Sequence, residues 1–144
     1  MNKTGLVVIA LCTQLAAVGE IKETKLSGFT IEQEIVLPGS PAEVYDAVTG
    51  DISPWWDHHF TATPKKLYIE PRPGGGFYEI FNDAGEGALH ATVIYAERGK
   101  RLRYTGQLPD GVEKIVDSVW HHMLVEQLKP YLESPEYKKR KGPR

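Results

Sequence analysis

Residues 110–133 read DGVEKIVDSVWHHMLVEQLKPYLE, and this stretch decides how the rest of the chain must fold. Val112, Ile115, Val116, Val119, Met123, Leu124, Leu128 and Leu132 return mostly at steps of three and four. That spacing places an apolar stripe along one side of an α-helix about six turns long. Asp110 and Glu113 stand at capping-box separation at its start, with Asp replacing the usual Ser or Thr. A stripe this apolar cannot face water. Most of the chain before it reads as strand, so the expected partner is a curved antiparallel sheet. Side chains sealed between helix and sheet then become the main guide to function.

Working outward from the helix, four segments carry strand signals. Lys65–Glu70 sets Leu67 and Ile69 against Lys66, Tyr68 and Glu70, and in Phe77–Phe81 the residues Phe77, Glu79 and Phe81 share a face. Gly87–Ala96 alternates without declaring which face is inner, and Arg101–Thr105 points Leu102 and Tyr104 one way and its arginines the other. Further upstream, Phe29, Ile31, Ile35 and Leu37 alternate with Thr30, Glu32 and Glu34, which predicts a first strand over 29–37. Between the first strand and the next, Ser40-Pro41-Ala42-Glu43 is a capping box with proline at the first helical position, so a short helix is expected up to Thr49-Gly50. Pro71-Arg72-Pro73-Gly74-Gly75-Gly76 is read as a hairpin connection with close backbone packing. No Lys or Ser/Thr follows the glycines as a nucleotide loop requires.

Composition bounds the function classes. With 144 residues, 41% apolar and 25% charged, the chain suits one modest domain. A net charge of −2 leaves no broadly basic surface, so nucleic acid is not an expected partner. The basic run from Lys138 to Arg144 predicts a solvated tail over 134–144. Residues 1–19 carry the signal-peptide pattern: Lys3, an apolar run to Val18, and small Ala17 and Gly19 before a cleavage point at Glu20. Export to the periplasm or beyond is therefore expected, with 20–28 as a polar leader to a domain over 29–133. Cys12, the single cysteine, lies in that signal, and bulky Leu11 before it argues against lipoprotein processing. A mature chain would then have no disulfide and no thiolate nucleophile.

The chemistry-bearing residues gather at Trp55-Trp56-Asp57-His58-His59-Phe60, in a connection rather than a periodic element. His121 and His122 lie about 100° apart on a helix and cannot face one point. His58 or His59 could meet His90 and one helix histidine, but no spacing demands it, so no metal and no cofactor are expected. Asp57 beside His58 could orient a base. Glu79, placed between Phe77 and Phe81, would have a raised pKa on an apolar inner face, the bland alternative being a cross-sheet pair with Arg101 or Arg103. The aromatic set reads better as a binding surface. Trp55 and Phe60 are expected at a pocket rim and Trp56 as a core plug. With Tyr68, Phe77, Glu79, Phe81, His90, Tyr104, Val119 and Met123 they complete the expected ligand-binding set.

The order of these segments resembles the helix-grip fold of the START-like superfamily, which includes polyketide cyclases and plant pathogenesis-related proteins. The nearest resemblance is to exported bacterial proteins similar to the activator of the Hsp90 ATPase. It is carried by Gly28-Phe29-Thr30 through Tyr45, Trp55-Trp56-Asp57 with Phe60, Leu67 through Phe77, Gly99 through Gly106, and Val119-Trp120 through Glu133. The resemblance implies an α+β fold in which a sheet grips a long C-terminal helix around an apolar pocket. In one respect the chain departs from it. After Thr105-Gly106 the family has two further long strands, whereas here Leu108-Pro109-Asp110-Gly111 leads directly into the helix. A shortened version is therefore expected, with bare strand edges or a homodimer that exchanges or pairs them. The function implied is non-catalytic binding of a small hydrophobic or amphipathic molecule. The alternatives are a protein-interaction or chaperone-accessory domain and, less favoured, a cyclase-like or hydratase-like enzyme using Glu79 or Asp57 with His58.

Overall fold

A computed structural model describes residues 30–106 and 111–141, so the expected signal, the polar leader, Phe29 and the expected N-cap Asp110 lie outside the described residues. The chain forms an α+β fold in which a five-stranded antiparallel sheet packs against a long C-terminal helical segment. The strands are β1 (Gly50–Asp51), β2 (Lys66–Ile69), β3 (Gly76–Ile80), β4 (Gly87–Glu97) and β5 (Arg101–Thr105). They run as a meander in sequence order, each pairing with its neighbour.

Helix α1 (Pro41–Ala47) starts as its sequence dictates. Ser40 Oγ accepts from the Glu43 N–H at 3.4 Å, and the Glu43 carboxylate accepts from the Ser40 N–H at 2.7 Å. Each half of the box satisfies a backbone donor that the helix cannot. Gly50, at φ 65°, then turns the chain into β1 in a conformation that costs a side-chain-bearing residue more. At the glycine run, a Cβ on Gly75 would stand 2.5 Å from the Glu70 carbonyl oxygen. The Gly74 N–H donates to the Val93 carbonyl at 2.9 Å, and the Val93 N–H to the Gly75 carbonyl at 2.7 Å. Close backbone approach, not phosphate binding, accounts for these glycines.

The expected first strand is a correction. Residues 30–37 alternate half-buried and exposed as predicted, yet they join no β-ladder. They are tied to the fold by Gln33, whose Nε2 donates to the Asp117 carbonyl at 2.9 Å and to its Oδ1 at 2.6 Å, and by Leu37, which packs against the core. A period-two pattern reports that one side of an extended segment is covered; it does not report a hydrogen-bonded partner. The first strand of the sheet is instead the two-residue β1.

Two extra residues shape the sheet. Phe77 pairs with Ala91 and Tyr78 with Leu89, so His90 is an unpaired bulge residue in β4. Val93 pairs with Tyr104 and Tyr95 with Arg103, leaving Ile94 as a second bulge. A bulge re-aims the side chain it carries. That shift put the inner face of β4 beyond the reach of simple alternation: Ala91 and Val93 are buried, while Leu89, Ile94 and Tyr95 are exposed on the outer face.

The C-terminal segment is not uniformly α-helical. Helix α2 (Glu113–His121) passes into a π-helical stretch, His122–Leu128, and then into α3 (Lys129–Glu133). The Lys129 N–H reaches back to the Leu124 carbonyl, five residues rather than four. Pro130 has no N–H to give and its ring would crowd the carbonyl four residues earlier, so a widened turn just before it is the strain-relieving answer. The widening also brings Met123 and Leu128, five apart, into the same core, where both are wholly inaccessible. With Trp55, Leu67, Ile69, Phe77, Val93, Tyr131 and Leu132 they form the sealed centre.

The last described residues depart from the expected solvated tail. Ser134 Oγ accepts from the Tyr137 N–H at 3.2 Å at the start of helix α4 (Pro135–Lys141). The Tyr137 hydroxyl donates to the Glu43 carbonyl at 3.1 Å, and Arg140 donates to the Asp51 carbonyl at 3.0 Å. The helix is docked on α1 and β1 through Tyr137, Arg140 and an ion pair between Lys141 and Glu43.

Candidate functional site

Between the inner sheet face and α2 lies a cleft of about 560 Å³, within the range of small-molecule sites. Its floor and walls come from three places. The sheet supplies Phe77, His90, Ala91 and Tyr104, the connection after β1 supplies Trp56 and His58-His59-Phe60, and α2 with the residue before it supplies Val112, Ile115, Val116, Val119 and Trp120. Aromatic rings bridge sheet and helix. Trp56 meets Phe77 edge-on at 5.1 Å and Trp120 at 5.5 Å, and Trp120 lies over Tyr104 at 6.2 Å. Such contacts fix the spacing between the two layers.

Beneath this wall lies Glu79, wholly buried. The Phe60 N–H reaches both its oxygens at 2.9 Å, the Thr61 N–H reaches Oε1 at 3.0 Å, and His90 Nε2 stands 2.9 Å from Oε2. Burial by itself pushes this carboxyl up, but the Phe60 and Thr61 N–H groups and His90 outweigh it, and the net direction is down. The expectation of a raised pKa is therefore corrected: Glu79 is an ionised acceptor whose bonds hold the 60–61 loop on the sheet. It makes no pair with Arg101 or Arg103, whose side chains occupy the outer face.

Because an ionised carboxylate only accepts, His90 Nε2 carries a hydrogen. The ring of His90 stacks with Phe60 at 4.5 Å and with Phe77 at 4.7 Å, near-parallel to both. Phe60, 72% exposed, is thus a flap over the histidine rather than core.

Asp57 does not pair with His58. Its Oδ2 lies 2.9 Å from His122 Nε2, while His122 Nδ1 lies 2.8 Å from Glu126 Oε2. With a carboxylate at each nitrogen both must donate, and the bonds to Asp57 and Glu126 raise the His122 pKa. The connection carrying the cleft-lining histidines is therefore tied down twice, to the sheet through Glu79 and to the helix through His122. Among the described residues, no cluster of three or more His, Cys, Asp or Glu side chains is placed to hold a metal ion.

Of the expected ligand-binding set, Phe60, Phe77, His90, Tyr104 and Val119 converge on the cleft. Trp55, expected at the rim, is core, its Nε1 donating to the Ala47 carbonyl at 3.0 Å, while Trp56, the expected core plug, belongs to the buried core and also lines the cleft. Tyr68 stacks on Tyr78, 5.0 Å away, and Phe81 closes the β3–β4 hairpin by donating to the Glu86 carbonyl at 2.7 Å. Met123 belongs to the sealed core, and Glu79 does not line the cleft but bonds two residues that do, Phe60 and His90. Sequence reasoning passed over Val112, Ile115 and Val116 as site residues, and Trp120 entered it only as one of the aromatic set. The stripe containing the first three was visible, but nothing in it marked where sheet coverage would end.

The fold and cleft thus define a sheet-and-helix α+β protein with an apolar, histidine-bearing groove. Compared with family models, with curated proteins and with solved structures, the chain matches none.

Proposed function

We propose that the chain is a shortened helix-grip, START-like domain that binds a small hydrophobic or amphipathic molecule without catalysing its conversion. The observation that carries this reading is the cleft itself: about 560 Å³, walled by aromatic and branched aliphatic side chains, between the sheet and the C-terminal helix. An enzymatic reading through Glu79 has less support, because every short contact to its oxygens is a structural hydrogen bond. Asp57 with His58 has less still, since Asp57 is committed to His122. The expected export signal makes the periplasm or exterior the place of action.

A second reading, protein interaction, is favoured by the outer sheet face. Leu89, Ile94 and Tyr95 are exposed there, and β5 pairs on one side only among the described residues. The partner this suits best is a second copy, with residues 30–37 or the β5 edge supplying the pairing. Native mass spectrometry of the protein purified without denaturation tests both readings. A reproducible small-molecule adduct is the expected result, with a dimer favouring shared edges. A ligand-free, heterogeneous monomer overturns the binder reading.

A further inference from the structure

The cleft holds titratable groups of only two kinds. Among the described residues that line it there is no carboxylate, lysine or arginine; there are three imidazoles, His58, His59 and His90, and one phenol, Tyr104. Burial pushes the Tyr104 phenol up, so it stays protonated. All the charge these residues can bring to a ligand is positive.

His90 is the best placed of the three. Its ring faces are covered by Phe60 and Phe77, and its Nε2 is engaged by Glu79. The ring is part of the cleft lining, and its nitrogen not engaged by Glu79 is Nδ1. A carboxylate on Nε2 fixes the ring's orientation and tautomer and leaves Nδ1 as the nitrogen that can meet a ligand. The two backbone donors on Glu79 keep that carboxylate in place, and the bulge in β4 is what turns His90 toward it.

We propose, resting on the binder reading above, that His90 is the polar anchor of the cleft and that the ligand is an amphipathic carboxylic acid. The ligand binds as its carboxylate and accepts a hydrogen bond from His90 Nδ1–H, the proton on that nitrogen being taken up from solvent as the ligand binds. The resulting imidazolium lies between the ligand carboxylate and Glu79, with no other bond made or broken. The apolar tail runs along Val116, Val119 and Trp120, and His58 and His59 stand on the same lining as the headgroup. Glu79 is a positioning residue here, since it touches the ligand only through the histidine.

The test uses the full chain and two probes of equal tail length, decanoate and decan-1-ol, each displacing N-phenyl-1-naphthylamine at pH 6. Wild type is expected to bind decanoate at least about tenfold more tightly than decanol, the scale of one charge-assisted hydrogen bond. His90→Gln, which can still donate to Glu79, is expected to lose that preference. Retention of the preference in His90→Gln, or equal binding of both probes by wild type, overturns the proposal while leaving the binder reading intact. If wild type binds neither probe nor the naphthylamine, the binder reading fails and the proposal falls with it. Should His90→Gln not fold, imidazole ¹⁵N shifts of the wild type decide. Decanoate binding must bring a proton from solvent onto the second nitrogen of a histidine whose first is already bonded, and unchanged histidine shifts on saturation overturn the proposal.

Discussion

The two halves of the C-terminal helical segment carry the same kind of apolar stripe and meet opposite fates. In the second half Met123, Leu128, Tyr131 and Leu132 are all buried against the sheet. In the first half Ile115 is 60% exposed and Val116, Val119 and Trp120 are half-buried around the cleft. The break falls at the start of the π-helical stretch. An apolar stripe demands cover, and the sequence leaves open whether that cover is protein or ligand. Here the sheet fills against one half and ends, at β5, beside the other.

That contrast can be broken most sharply by cavity formation. Leu128→Ala is expected to cost about 2–5 kcal/mol in urea denaturation, because the sealed half cannot collapse around the void. Val116→Ala, bordering a cleft already open, is expected to cost under about 1 kcal/mol. Equal losses would mean that the two halves are packed alike.

Glu79→Gln is expected to destabilise by about 2–3 kcal/mol, since it weakens the bonds that hold Phe60, Thr61 and His90 together. Its pH dependence has a definite sign. Glu79 lies below its ordinary value of 4.5 in the folded protein. Its contribution is therefore complete above that value and lost as pH falls through the folded value. The gap between wild type and Glu79→Gln in thermal melts should narrow on acidification from pH 6 to pH 3; a gap that widens would contradict the assignment.

Filling the open half sharpens the comparison from the other side. Val116→Trp is expected to leave the melting temperature within a few degrees, or to raise it, while abolishing uptake of N-phenyl-1-naphthylamine. Uptake unchanged in this variant would place the probe elsewhere.

The smallest effect belongs to His122, where the loop meets the helix. Its folded pKa is raised above 6.5, so its contribution is full below that value and disappears as pH rises through the folded one. His122→Gln should lower the melting temperature at pH 5.5 and match wild type at pH 9. A deficit that persists at pH 9 would point to packing rather than charge.

Much of the fold was legible. The capping box at Ser40-Pro41-Ala42-Glu43, the strands around Leu67, Phe77 and Leu102, and the long apolar stripe each announced themselves through local rules. The site was legible only in part. Phe77 and Tyr104 followed from strand alternation, but the burial of Trp55 could not be read from a connection with no period. His90 reached the cleft through a bulge that shifted the register of β4. Residues 30–37 showed the reverse case, a strand-like pattern with no ladder behind it.

What the amino-acid order determined by itself is local: where α1 starts, which faces of β2 and β5 are apolar, and that the long apolar stripe must lie on a sheet. Those outcomes rest on capping, proline, glycine and side-chain period, which act over a few residues. Tertiary structure alone decided that Glu79 is ionised, that Asp57 answers His122, and that half of the helix stripe faces a cleft. Those depend on groups far apart in the chain, 65 positions in the case of Asp57 and His122, being brought within hydrogen-bonding reach. No local pattern encodes such distances.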